Sequence, residues 1–207
     1  MDMHQTSRDP GVKRITVYAS SSNALAKPYY DAARRLGGVL GRAGMDVVYG
    51  GGGVGLMGAM ANEAMSAGAR VHGVIPDFLN TVEHGHPALS SLRVVGDMRE
   101  RKHLMLENSD AVISLPGGSG TFEEVFEALT LKRLGQFLGP IVFVNTNGYF
   151  ERMVDFLKHS VSERFMSQLH LEMWSVVDEP EDALAAMASA PSWSADARQF
   201  ASVKTDL

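Results

Sequence analysis

The sequence predicts a single-domain doubly wound, Rossmann-like α/β fold: a parallel sheet with helices on both faces. Three observations predict it. Short β-branched runs alternate with longer segments of helical period from about residue 13 to residue 188, the pattern of repeated βαβ units. Most of the runs lack polar alternation, as strands covered on both faces do. Two glycine-rich turns each end an apolar run and open a helical segment, which is where ligands sit in open parallel sheets. A length of 207 residues suits one domain, and no repeat, linker or low-complexity block divides it.

In chain order, residues 1–12 are polar and close on Pro10-Gly11, so they read as a flexible leader. Strands are expected at 13–19, 46–50, 70–75, 92–95, 110–115, 140–144 and 173–177. Helices are expected between them at about 28–43, 55–67, 97–108, 120–135, 148–163 and 180–188. The segment 77–91 is short and mixed and reads as a loop. The catalytic domain is taken as 13–190. Beyond Pro191 the chain is small and polar, a tail over 191–207 that frays or packs as a short extra helix.

The composition narrows the function. Nineteen basic against 24 acidic residues give a formal charge of −5, which provides no broad basic field for a nucleic-acid backbone. With no cysteine there is no disulfide, thiolate metal site or cysteine nucleophile, which fits a reducing compartment. The N-terminus has no basic-then-apolar signal pattern, and no apolar run approaches the roughly 20 residues of a membrane span, so the expected compartment is the cytoplasm.

Nine of the 21 glycines fall in the two turns. The first is Gly50-Gly51-Gly52-Gly53-Val54-Gly55-Leu56-Met57-Gly58. Its N–H groups, with no Cβ in the way, and the dipole of the helix it opens make Gly51, Gly52, Gly53 and Gly55 a candidate phosphate cradle. Taken literally it matches the dinucleotide fingerprint, with Asp77 at the distance of a ribose-binding acid, but it follows the second strand rather than the first. No Gly-Lys-Ser/Thr is present for a triphosphate site. The second turn is Leu115-Pro116-Gly117-Gly118-Ser119-Gly120-Thr121, followed by Phe122, Glu123 and Glu124 in the first helical turn. Two carboxylates there suit the dipole yet would repel a phosphate. A substrate carrying both a phosphate and a centre of developing positive charge resolves that conflict. Between the turns, Asp97-Met98-Arg99-Glu100-Arg101-Lys102-His103 reverses the acidic whole at the start of a helix, and Arg supplies the planar fork that grips phosphate or carboxylate.

Together, Gly51 to Gly58, Met98-x-x-Arg101-Lys102 and Pro116-Gly117-Gly118-Ser119-Gly120-Thr121-x-x-Glu124 resemble the LONELY GUY family of cytokinin riboside 5′-monophosphate phosphoribohydrolases, whose members often carry the label lysine decarboxylase. The similarity runs from about residue 13 to 180. It implies hydrolysis of the N-glycosidic bond of a cytokinin nucleoside 5′-monophosphate or AMP to free base and ribose 5-phosphate, with no cofactor and no metal. It implies Arg101 and Glu124 as the catalytic pair, and Glu83, Lys102, the stretch Gly118 to Glu124 and Thr130 as substrate contacts. Two departures, Arg99 and Leu131-Lys132, fall near the base pocket that the resemblance implies.

Breaking such a bond passes through an oxocarbenium-like ribose, which a carboxylate beside the anomeric carbon stabilises. The competing readings are a non-catalytic nucleotide or molybdenum-cofactor carrier and an NAD-dependent oxidoreductase. The last lacks any Tyr-Lys or His-Asp arrangement. His84 and His86 have no third ligand spaced for zinc and read as polar loop residues. The expected helices 120–135 and 148–163 carry more apolar side chains than one core needs, among them Phe122, Phe126, Phe150 and Phe156, which predicts a homodimer, with Arg133 reaching a neighbouring site.

Overall fold

The computed structural model describes residues 13–83 and 85–201. The expected leader 1–12, the end of the tail and His84 lie outside the described residues. Seven parallel strands form one sheet: β1 (Arg14–Tyr18), β2 (Asp46–Tyr49), β3 (Arg70–Pro76), β4 (Ser91–Val95), β5 (Ala111–Ser114), β6 (Ile141–Val144) and β7 (Ser175–Val177). Their order is β4-β3-β2-β1-β5-β6-β7. β1 therefore pairs with β2 on one side and β5 on the other, Thr16 opposite both Val48 and Val112. The loops after β1 and β5 diverge at this reversal of strand order, and the crevice they leave is where a doubly wound sheet binds its ligand.

The helices are α1 (Lys27–Arg42), α2 (Gly55–Ser66), α3 (Asp77–Asn80), α4 (Met98–Leu106), α5 (Ser119–Arg133), α6 (Glu151–Ser162) and α7 (Ala183–Ser189). One core packs α1, α2 and α7 against Ile15, Val17, Val47, Tyr49 and Ile113, while α4, α5 and α6 cover Tyr18, Val48, Val112 and Phe143 on the other face. Adjacent strand residues go to opposite cores because side chains alternate across a sheet, and both faces are covered, so the strands read as continuous apolar runs. In α1, Gly37 and Gly41 stand four apart on one helix face. A Cβ on Gly37 would come within 2.3 Å of Met60 O and one on Gly41 within 2.5 Å of Ala67 Cβ, so their absence lets α1 lie directly on α2.

Four expectations change in detail. The loop 77–91 holds a one-turn helix, α3. β4 is the sheet edge, and Leu92, Arg93 and Val94 are exposed rather than covered. Asp97 stands outside α4 as its cap, accepting from Arg99 N–H at 2.8 Å and Glu100 N–H at 2.9 Å, because a short acceptor there satisfies donors that the first helical turn leaves orphaned. The segment before β7 winds into a 3-10 helix, Gln168–Met173, that no period announced. Past Pro191, a 3-10 turn, Ala195–Phe200, packs back on the domain with Ala197 fully buried.

Candidate active site

The two glycine turns do different jobs. In the first, Gly53 N–H donates to Glu83 O at 3.1 Å, and Leu56 and Met57 N–H both donate to Ser20 O, at 2.9 and 3.2 Å. Gly55 N–H donates to Asn23 Oδ1 at 3.0 Å. These donors are already spent, so the first turn offers no open phosphate cradle at Gly53 and Gly55, and the dinucleotide reading loses its loop for the same reason. Gly51 and Gly52 also run beside the segment carrying Glu83, through acceptors rather than donors: the Gly51 carbonyl accepts from His86 N–H at 2.9 Å, and Gly52 bridges Gly85. What the turn achieves is close packing. Gly55 takes φ +63° with its missing Cβ 2.5 Å from the Ser21 backbone, a place and a conformation open to glycine. A Cβ at Gly50 would meet Arg101 Nη2 at 2.1 Å.

Arg101 fills that space. It is 5% exposed, at the start of α4, with Nη2 donating to Gly50 O at 2.9 Å and Nε to Val74 O at 3.2 Å. Its Nη2 also lies 3.5 Å from Glu83 Oε2. Glu83 is held by its backbone on both sides, its N–H on Leu79 O at 2.8 Å and its carbonyl on Gly53 N–H, yet Oε2 is buried without a hydrogen-bond partner. Its charge is met instead by the Arg101 guanidinium.

The second turn is open. Gly118, Ser119 and Gly120 are exposed, and a Cβ on Gly118 or Gly120 would meet nothing within 4 Å. Gly118 is the N-cap of α5, and no acceptor among the described residues is recorded for the N–H groups of Ser119, Gly120 and Thr121. Unspent donors at the positive end of a 15-residue helix form a site for an anion. Thr121 is buried with its hydroxyl over Gly117, where a Cβ would lie 2.0 Å from Oγ1. Tyr149 braces the turn from behind: its hydroxyl donates to Gly117 O at 2.5 Å and its ring stacks on Phe122, with planes 8° apart.

One turn into α5, Glu124 is 7% exposed. Burial pushes its carboxyl up to about 7; Arg101 and then Lys102 oppose that, while Glu83 and Glu123 add to it. A carboxyl poised near neutrality, next to an arginine and a second carboxylate, is equipped to take and return a proton. Lys102 Nζ lies 2.8 Å from Glu123 Oε1 and 2.5 Å from Glu127 Oε2. Burial works against its charge, but these two carboxylates outweigh it and hold the ammonium above its ordinary pKa. Thr130 is exposed on α5, at a spacing that puts it on the face of Glu123 and Glu127.

Arg101 and Glu124, expected as a catalytic pair, and the contacts expected around them, Glu83, Lys102 and Gly117 to Glu124, thus converge, with Thr130 further along the same helix. Asp77 instead opens the short α3 and is exposed. His86 is occupied by Asn62, its Nε2 lying 3.0 Å from Oδ1. Lys132 turns away from the site: it is 1% exposed, donates to Gly139 O at 2.6 Å and lies under the Trp193 ring. Sequence reasoning passed over Gly50, Tyr149 and Glu127. Glu127 was detectable, since it follows Glu123 by four on one helix face. Tyr149 was not, because it is 32 residues from its partner.

A family model described as "Possible lysine decarboxylase" matches residues 57–187. A cytokinin riboside 5′-monophosphate phosphoribohydrolase of Rhodococcoides fascians is 39% identical over 181 residues, covering 87% of this chain and 91% of that one. The chain belongs to this phosphoribohydrolase family. An Arabidopsis thaliana phosphoribohydrolase is also 39% identical, over 155 residues and 75% of this chain, 72% of its own. Among solved structures, the molybdenum cofactor carrier protein of Chlamydomonas reinhardtii superposes with a TM-score of 0.67, covering 86% of this chain and 98% of that one. Its identity is 21%, which shows a shared fold. No helix among the described residues is long and apolar enough to cross a membrane.

Proposed function

We propose that this chain hydrolyses the N-glycosidic bond of a nucleoside 5′-monophosphate, AMP or a cytokinin ribotide, to free base and ribose 5-phosphate. The observation that carries the reading is Glu124, a buried carboxyl with a pKa of about 7, one turn beyond a helix N-terminus with open donors. The phosphate sits on the N–H groups of Ser119 to Thr121, which fixes the ribose over Glu124 and Glu83. As the C1′–N bond breaks, the base leaves with the bonding pair and takes up a proton, and positive charge develops on C1′. The Glu83 carboxylate, ion-paired with Arg101, faces that charge. Glu124 takes a proton from the water whose oxygen bonds to C1′. Arg101, fixed by Gly50 and Val74, holds both carboxylates in register.

The test is a panel of 5′-monophosphates assayed for released base. AMP or isopentenyladenosine monophosphate should yield free base, and Glu124→Gln should remove turnover while leaving nucleotide binding within a few fold. No base from any member would reject the enzyme and favour a non-catalytic carrier.

The same reading includes a cytoplasmic homodimer. Leu129, Phe137, Phe150 and Leu157 are consumed by the core, but Phe126, Leu138, Phe156, Phe165 and Leu169 are 39%, 45%, 62%, 78% and 47% exposed on and around α5 and α6. So much apolar surface suits a second copy, with Arg133 near the joint. Sedimentation should give about twice 22.4 kDa; a 22.4 kDa particle would refute it.

A further inference from the structure

The site holds four carboxylates, Glu83, Glu123, Glu124 and Glu127, and two cations, Arg101 and Lys102, and two of the four, Glu123 and Glu127, have no part in the mechanism above. Glu127 sits one turn beyond Glu123, half-buried, and its Oε2 makes the shorter of the two contacts to Lys102 Nζ. That ammonium stands on α4, next in sequence to Arg101, while both of its acceptors stand on α5, beside Glu124. α4 is anchored to the sheet by Met105 in the core and by Arg101 on Gly50 O and Val74 O, and Lys102 adds an ionic link from α4 to α5. Its backbone packs mainly on β3 and β4. The doubly accepted Lys102 therefore spans the gap between the helix that carries Arg101 and the helix that carries Glu124. Its charge is matched twice over, so the cluster Lys102, Glu123 and Glu127 carries a net −1. It is poorly suited to act as a bare cation for phosphate, and the helix N-terminus is left to that task.

From this geometry we infer that Glu127 is a positioning residue: it clamps Lys102 against α5 and so fixes the spacing of Arg101 and Glu124. The inference rests on the hydrolase reading above. A charge-assisted contact on a partly buried ammonium is stronger than a surface pair, and displacing a catalytic group by about an ångström costs on the order of a hundredfold in rate. Glu123 at 51% side-chain exposure is the more screened partner, and Glu127 at 32% is the firmer one.

The experiment is a double-mutant cycle in the full chain with AMP as substrate. Glu127→Gln should lower kcat about tenfold and leave KM within about threefold, because the chemical step, not binding, loses its geometry. Combined with Lys102→Met, it should cost nothing beyond Lys102→Met alone, since Glu127 acts only through that ammonium. The pH profile supplies a readout that a packing role would not move. The groups facing Glu124 are Arg101 and Lys102 from α4, Glu83 from the loop after α3, Glu123 on α5 and the Tyr18 phenol at the end of β1. With Glu127 gone, Lys102 is less neutralised, its charge bears harder on Glu124, and the acid limb of kcat moves to lower pH.

Wild-type kcat, additive losses or an unmoved limb would each overturn the inference. If Glu127→Gln lowers the thermal midpoint, Glu127→Asp takes its place in the cycle: it keeps the charge but retracts the carboxylate, and must still lower kcat. If the wild type releases no base, the functional reading fails, and the clamp is tested without turnover by nitrogen-15 NMR titration of Lys102. Its pKa should fall in Glu127→Gln; an unchanged value would overturn the clamp.

Discussion

Burial raises the pKa of Glu124, and the shift has a consequence for stability. The carboxyl pKa is lifted to about 7 in the folded chain, against an ordinary 4.5. Below about pH 4.5 it is protonated in both states and folding is not penalised. As pH rises through about 7 the folded chain must ionise a buried group, and stability is lost. Glu124→Gln should therefore raise stability at pH 8 by ~2–3 kcal/mol, read as a higher thermal midpoint, and leave it unchanged near pH 4.5. A variant equally or less stable than wild type at pH 8 would mean that the carboxyl is not desolvated. The choice of Glu124 as the candidate catalytic carboxylate was legible from Pro-Gly-Gly-x-Gly-Thr-x-x-Glu; its poise near neutrality was not, because that depends on Arg101, Glu83 and Lys102, which reach it from other elements.

At the scale of elements, two turns of similar composition separate into a structural one and an open one. The first binds the β1 loop through Asn23 and Ser20 and makes room for Arg101. The second keeps its donors for a ligand. Substitutions should tell them apart. Gly55→Ala forces an L residue to φ +63° against the Ser21 backbone and should destabilise the fold by ~2–4 kcal/mol, read as a lower denaturation midpoint. Gly118→Ala meets open space and should change stability by less than about 1 kcal/mol, while weakening ribose 5-phosphate binding measured by calorimetry, because the new methyl intrudes on the anion site. If Gly118→Ala binds as wild type does, the phosphate is held elsewhere. Sequence could not separate these turns: glycine is required equally by close packing and by anion binding, and only the hydrogen-bond partners distinguish them.

For the whole molecule, the chain past the residues matched by the family model returns to the domain. Trp193 Nε1 donates to Lys132 O at 2.6 Å, its ring covers the Lys132 ammonium at 5.5 Å, and Phe200 packs edge-on to Trp193 and against buried His170. Burial lowers the Lys132 pKa to about 8, so the tail helps shelter a cation that the core tolerates only because Gly139 O accepts from it. Trp193→Ala should lower stability by ~2 kcal/mol, read as a drop of several degrees in the thermal midpoint. No change would mean that the tail contributes nothing to the domain. The sequence by itself determined the doubly wound class, the placing of most strands and helices, and the membership of Arg101 and Glu124 in one site, because hydrophobic period and glycine turns are local signals. The tertiary structure decided which turn is open, that Lys132 faces the core, that Glu127 joins Lys102, and that Tyr149 braces Gly117. These depend on contacts between segments far apart in the chain, and a contact across the sheet leaves no period in the sequence.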